Sequence, residues 1–444
     1  KKLRWLESIL IERFHNDIKL ENSINNSVIM KVKGKALSIE IDSNREFIKT
    51  GYTNMSCAEW TMDNGQWTSI LGVNLIAPGH SELEYPLIKK TESGFKIKYD
   101  ILGLTYWMLS RAEEVGRIDL DKHDRFSSIS SHAHKYNYLE RPIVDEWLLI
   151  LSQVIQVLWP DIKLKKHNFR MIVSHDVDVA SRYIFQSVYK LIRGIVGDIL
   201  KRGDLMSVFR APWIRLQSHK KLPKKDPMNT FGWIMDQSDK YNIKSAFYFI
   251  CGKSHIETDA DYDIEHPSIR HLIRYIHERG HEIGLHPSYN TYQNPDIFSC
   301  EAKKLQDICK KEDIDQKIWG GRMHYVRWKC PNTLYQWEGA GMTYDSTLGY
   351  ADHSGFRCGT CFEYSAFDPV ADRQLSLRIR PLIAMEVTII SKRYMALGLG
   401  KEAYNKLIKL KRTCEMVEGS FTLLWHNHNL VSKKQRKLYS SLLE

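Results

Sequence analysis

From residue 167 onward the chain predicts an α/β fold built on a parallel sheet, closed or open, and two observations carry that prediction. Short apolar runs alternate with helical patterns, the order that builds β-α-β units. The residues with chemical potential sit at the ends of those runs, where such a sheet places its chemistry. Residues 1–165 lack the alternation and read as a smaller mixed α/β region, which sets the expected domains at 1–165 and 166–444.

In the first region, Val28 to Val32 and Leu37 to Ile41 alternate as strands do, and Asp100 to Arg111 reads as a largely buried helix. The polar segment from Arg125 to Trp147 holds His132 and His134, expected as surface loop histidines, and no catalytic constellation is visible. A helical pattern runs from Ile143 to Trp159 and stops at Pro160. Beyond the basic stretch Lys163 to Lys166, the apolar run Phe169 to Val173 leads into Ser174-His175-Asp176-Val177-Asp178. Residues two apart on a strand share a side, so the two carboxylates would emerge together. Adjacent anions are tolerated around a cation or where one has a raised pKa, and the same pattern also suits a strand end followed by a helix cap at Asp178 or Ser181.

The insertion 181–225 follows. In it Val188, Leu191, Ile192, Ile195, Val196, Ile199 and Leu200 keep helical spacing beside Lys190, Arg193, Lys201 and Arg202. That pattern more often marks an outer helix packed on its sheet; the alternative is a peripheral contact with an anionic membrane or an acidic polymer. Further strands are expected at Ser245 to Ile250, His281 to His286, Lys317 to Gly321, Gly341 to Asp345, Leu382 to Val387 and Ser420 to Trp425. Helices are expected from Pro267 to Gly280 and from Lys401.

The chain has 444 residues, 43% of them hydrophobic, enough for a large core and not a disordered or fibrous protein. No apolar run reaches the roughly eighteen residues of a membrane helix. No signal-peptide pattern opens the chain, although a leader removed before Lys1 stays open, and the expected location is cytoplasmic or peripheral to a membrane. The net charge of +11 suits acidic partners without choosing among them; no nucleic acid is expected. The eight cysteines show no disulfide framework and read as reduced thiols. Cys358-Gly-Thr-Cys361 has the spacing of half a zinc site but no second pair, so it reads as a loop with two free thiols.

Strand ends therefore supply Asp176 and Asp178, His286 with Ser288 and Asn290 behind it, Arg322 with His324 and Arg327, Asp345, and His426 with His428. Carboxylate, imidazole and arginine converging on one rim are what metal-assisted hydrolysis requires.

In this order the motifs resemble the polysaccharide deacetylases of carbohydrate esterase family four, which share the nodulation-type chitooligosaccharide deacetylase homology domain. The matching stretches are Ser174 to Asp178, Gly280-His281-Glu282-Ile283-Gly284-Leu285-His286-Pro287-Ser288, Gly321-Arg322-Met323-His324-Tyr325 and Leu423-Leu424-Trp425-His426-Asn427. The first region is similar to an uncharacterised amino-terminal domain of a bacterial branch, through Leu109 to Glu114 and Leu139 to Glu146. Such proteins are associated with cell-surface polysaccharide biosynthesis.

The resemblance implies a distorted (β/α)7-type barrel and a metal-dependent N-deacetylase acting on an N-acetylated glycan or lipid-linked sugar. It casts Asp176 as general base, His426 as general acid and Arg322 as the residue that tunes Asp176. Asp178 and His286 would be metal ligands, Asp345 would orient His426 or a loop near it, and the divalent ion would be zinc foremost, with cobalt, nickel or manganese as substitutes. Ser288, Tyr325, Arg327, Asp345, Arg357 and Trp425 become candidates for substrate contact. The chain departs from the family at Asn290, where a second histidine ligand is usual, so either Asn290 or His324 completes the site, or the ion is harder than zinc. The arginine motif lacks its usual proline, leaving the tuning role open between Arg322 and Arg327. A catalytically silent glycan-binding or scaffold protein and a hydrolase of cyclic amides are the competing expectations.

Overall fold

The computed structural model describes residues 1–62, 65–202, 205–216 and 220–444. Residues 203–204 and 217–219 of the basic insertion, and the side chains of Asp198, Lys201 and Arg202, lie outside the described residues.

Helix α1 (Lys2–Arg13) precedes strands β1 (Ile18–Asn22), β2 (Ser27–Val32), β3 (Ser38–Asp42), β4 (Cys57–Trp60), β5 (Leu75–Pro78), β6 (Ile88–Thr91) and β7 (Gly94–Ile97). Five of these form a sheet in the order β1-β2-β3-β7-β6, while β4 and β5 pair with each other. Then come α2 (Ile101–Leu109), the short α3 (His132–Lys135) and α4 (Ile143–Leu158). Helix α2 is buried along its whole length, as its nearly unbroken apolar sequence demands, and Asp100 caps it by accepting from Gly103 N–H.

The second part runs β8 (Arg170–Val177), α5 (Val188–Arg202), α6 (Ser207–Leu216), α7 (Phe231–Lys240), β9 (Ala246–Phe249), α8 (Pro267–Glu278), β10 (Glu282–Leu285), α9 (Pro295–Lys311), β11 (Gly320–Gly321) and α10 (Asn332–Gly339). It continues through β12 (Tyr344–Asp345), β13 (Tyr364–Asp368), β14 (Arg373–Ile379), β15 (Ala384–Met385), α11 (Glu386–Ile390), α12 (Lys401–Met416), β16 (Ser420–Leu424) and α13 (Lys433–Leu443). One sheet takes all nine strands in the order β13-β14-β12-β11-β10-β9-β8-β16-β15. Every pairing is parallel except the edge hairpin β13-β14. The fold is α/β, as expected. Its barrel is distorted and incompletely closed: the ladder ends at β13 and β15, and Leu382 N–H, just before β15, reaches across to Leu348 O beyond β12.

Helix α8 shows why the covering layer packs. Ile269, Leu272, Ile273 and Ile276 fall on one face and are buried, Pro267 starts the helix and Gly280 ends it with φ +81°. Inside the barrel two glycines make room for rings. A Cβ on Gly284 would lie 2.4 Å from Tyr248, and one on Gly320 2.3 Å from Tyr344. The tyrosine hydroxyls meet at 2.9 Å, and Arg380 lies over the Tyr344 ring.

Buried ion pairs join the two parts. Arg357 makes a two-pronged contact with Glu114, which also binds Arg111, and Asp145, paired with Arg13 within the first part, accepts from Thr360 Oγ1 and Cys361 N–H of the second. The stretches Leu109 to Glu114 and Leu139 to Glu146 thus owe their character to this junction. His132 is buried rather than on a surface: its ring contacts Tyr138 Oη and Met55 O, and burial lowers its pKa to about 4. His134 is exposed. All eight cysteines are unbridged, Cys358 and Cys361 both buried.

Candidate metal centre and its cleft

Four strand ends build the site. Along β8 the side chains alternate, so Ser174 and Asp176 face the interior while His175 stacks on Phe247 and bonds Trp425 O. Asp178 lies one residue past the strand. His286 follows β10, Arg322 and His324 follow β11, and His426 follows β16. The turn after β11 is strained, with φ +59° at Tyr325 and +51° at Val326; a β-branched residue adopts the left-handed region only when its surroundings hold it there.

Asp178, His286 and His324 present ligand atoms within 4.8 Å of one another. Asp178 Oδ1 is buried without a hydrogen-bond partner and stands 3.3 Å from His286 Nε2 and 3.8 Å from His324 Nε2. Each imidazole is oriented through its other nitrogen, His286 Nδ1 to Arg322 O at 2.6 Å and His324 Nδ1 to Asp259 at 3.1 Å. That tethering fixes the tautomer that leaves Nε2 with a lone pair for an ion. The electrostatics fit a cation too. Burial pushes the Asp178 pKa up, but His286, His426 and His324 hold it well below the ordinary carboxylate value. Burial lowers the His286 pKa, yet Asp176 and Asp178 raise it overall. The donor set of one carboxylate and two imidazoles suits a divalent transition metal.

On one side of this group, Arg322 is fully buried and donates to Asp176 Oδ1 at 2.7 Å, with further bonds to Ser174 Oγ, Ser346 O and Ser346 Oγ. On the other side, His426 Nε2 lies 3.5 Å from Asp178 Oδ2. Its Nδ1 is 2.7 Å from Glu386 Oε1, an oxygen that also accepts from His426 N–H and Asn429 Nδ2. Burial works against protonation of His426, but the Glu386 carboxylate, then Asp178 and Asp176, raise its pKa to about 10. Between them opens a cleft of about 250 Å³ whose walls include Tyr325, Tyr394, Arg125 and the apolar side chains of Val326, Met385, Val387 and Leu424.

Several sequence candidates are placed elsewhere. Asn290 is exposed, and its amide nitrogen donates to Ser254 O while its backbone N–H bonds Ser254 Oγ; it stands apart from the cleft lining, and His324 sits beside Asp178 instead. Ser288 is buried against Glu301. Asp345 is fully buried, accepts from Thr347 N–H and Trp328 Nε1, and has its pKa raised by burial to about 6; orienting His426 falls to Glu386. Arg357 belongs to the Glu114 junction, and Trp425 is buried with its indole N–H on Asn429 O. Arg327 lies over the rings of Tyr289 and Tyr292 and bonds His123 O, so the partner of Asp176 is Arg322. Of the substrate-contact candidates, Tyr325 lines the cleft.

Three residues escaped the sequence reading. Glu386 had a signal, being the sole charge in the apolar run Leu382 to Val387. Asp259 had none, sitting in a loop rich in aspartates. Arg125 comes from the first region: it pairs with Asp121, donates to Tyr325 O at 3.0 Å and reaches Tyr394 Oη, so that region builds part of the cleft wall.

Residues 5–160 match DUF7033, a family of unknown function. No curated protein matches the chain. Among solved structures it is similar to a candidate polysaccharide deacetylase from Mycobacterium smegmatis, at 14% identity and a TM-score of 0.39 over 64% of this chain and 84% of the other. It is also similar to Puue allantoinase, at 12% identity and a TM-score of 0.38 over 64% of this chain and 85% of the other.

Proposed function

We propose that the chain is a metal-dependent hydrolase that removes N-acetyl groups from sugars of a glycan or of a polysaccharide precursor. The observation that carries this reading is that Asp176 Oδ2 lies 3.7 Å from His286 Nε2 and His426 Nε2 3.5 Å from Asp178 Oδ2, so that a carboxylate and an imidazole both border the Asp178, His286 and His324 group. One is tied to a buried arginine, the other to a buried glutamate.

Asp178, His286 and His324 would hold the ion, zinc foremost with cobalt, nickel or manganese as substitutes. Bound there, it supplies a positive centre that acidifies water and polarises a carbonyl. Asp176 is anchored through Oδ1 by Arg322, which leaves Oδ2 to accept the proton of the attacking water. His426, kept protonated by Glu386, delivers a proton from Nε2 to the departing nitrogen, without which an amine leaves poorly. Val326, Met385, Val387 and Leu424 give the cleft an apolar wall suited to the methyl of an acetyl group. A silent binding protein would have no use for an acid and a base so arranged.

The test is acetate release from N-acetylated chitooligosaccharides, run beside ring opening of a cyclic ureide. Acetate release that disappears in Asp176→Asn supports the reading. Ring opening without acetate release overturns the substrate class, and no turnover of either compound by metal-loaded protein overturns the hydrolase.

A further inference from the structure

The basic insertion forms a two-helix hairpin that shows the solvent an apolar face. In α5, Leu191 and Ile195 pack on the core, whereas Val188, Ile192, Val196 and Leu200, spaced four apart, stay exposed beside Tyr189. In α6, Ser207, Ala211 and Ile214 are buried, while Val208, Phe209, Trp213 and Leu216 are exposed, as are Leu205 and Met206 just before it. Eleven of the 28 exposed large hydrophobic side chains among the described residues thus lie between 188 and 216, with Phe209 73% and Trp213 56% exposed. A concentration on that scale marks an interaction surface.

Charge says which. Residues 181–225 contain eleven Lys and Arg against two Asp, so nine of the chain's eleven net positive charges reside in this one insertion. The base of the hairpin is fixed: Asp226 accepts from Ser181 Oγ and from the backbone of Arg182 and Met228, and Lys190 pairs with Asp261 at 2.9 Å. The hairpin leaves the barrel just after Asp178, so its base and the cleft belong to the same end of the barrel.

We propose that this hairpin docks the protein on an anionic lipid bilayer. Helices α5 and α6 lie in the interface plane, Phe209 and Trp213 enter the acyl boundary, and the exposed Arg193, Lys220, Lys221, Lys224 and Lys225 engage headgroups. A soluble acidic glycan would match the charge but leave the apolar stripe in water. A second copy would cover the stripe but bring two strongly positive surfaces together. Among the described residues no helix is long and apolar enough to cross a membrane, so the contact is in-plane. The inference uses nothing in the cleft and stands apart from the proposed reaction.

The test is flotation of the full chain with phosphatidylcholine vesicles, with and without about one-third phosphatidylglycerol. Its companion is the double variant Phe209→Ser, Trp213→Ser, checked for native fold by circular dichroism. The wild type is expected to bind the anionic vesicles at least about tenfold more tightly than the neutral ones, and less in high salt. The double variant is expected to lose about a hundredfold in partitioning, the effect of removing two large apolar side chains. Equal binding to both vesicles, undiminished binding by the double variant, or no vesicle binding overturns the proposal. So does a concentration-dependent dimer, or retention on an acidic polysaccharide, in protein that ignores vesicles.

Discussion

Replacing Glu386 by Gln separates charge from shape at His426. Glu386 Oε1 accepts all three hydrogen bonds, from His426 N–H, His426 Nδ1 and Asn429 Nδ2, whereas Oε2 is buried without a partner. A glutamine can keep Oε1 in place and put its amide nitrogen at the Oε2 position, so the geometry survives while the negative charge goes. The Nδ1 contact then drops from an ion pair to a bond between the imidazolium and a neutral amide, a loss of about 1–1.5 kcal/mol of support for the imidazolium. At about 1.4 kcal/mol per decade this predicts a fall of roughly five- to tenfold in kcat, with KM and metal content little changed. The His426 pKa drops from about 10 toward its ordinary value, although Asp178 and Asp176 still raise it and the ring of His428 still faces it. The assay is acetate release against pH for wild type and Glu386→Gln, with unfolding curves to confirm the fold. A folded, metal-loaded variant with unchanged kcat and pH profile would refute the idea that Glu386 maintains the acid.

Other outcomes follow from the same structure. Asp176→Asn should abolish turnover and retain the ion, whereas Asp178→Ala should lose both; equal metal loss in the two would undo the division between base and ligand. Gly321→Ala should fail to assemble the site, because its Cβ would stand 1.8 Å from Leu285 O where β10 meets β11, while Gly339→Ala, whose Cβ meets nothing, should fold and load metal normally. Thermal unfolding and elemental analysis check both. His132 titrates near 4 when folded and near 6.5 when unfolded, so between those values the unfolded chain binds the extra proton and stability falls as pH falls. From pH 7 to pH 5 that amounts to about 2 kcal/mol, which urea denaturation should find missing in His132→Asn. An identical pH slope in the variant would refute the assignment.

The barrel strands and four of their chemical ends were legible because each apolar run stops at a residue too polar to remain in a core without a task. Element boundaries were less so. Leu382 to Val387 reads as one strand, yet only Ala384 and Met385 pair, and α11 begins at Glu386, which turns that carboxylate beneath His426. The hairpin β13-β14 was missed although Leu375, Leu377 and Ile379 alternate as a half-buried strand should. Motif spacing pointed to Asn290, but the short turn Tyr289–Gln293 directs it to Ser254, a contact that no linear pattern announces. Ser288, Asp345, Arg357 and Trp425 have the right chemistry for a cleft, yet their partners are buried groups that only the folded chain brings near. Arg125 shows the same limit across the two parts: nothing in the sequence near it mentions Tyr325.

Elemental mass spectrometry of purified wild type, His324→Ala and Asn290→Ala asks whether Asp178, His286 and His324 hold a metal ion. One divalent transition-metal ion per chain is expected in wild type and in Asn290→Ala, and none in His324→Ala. An ion that stays with His324→Ala and leaves with Asn290→Ala, or a wild-type protein that takes up no added zinc, cobalt, nickel or manganese, would contradict that expectation.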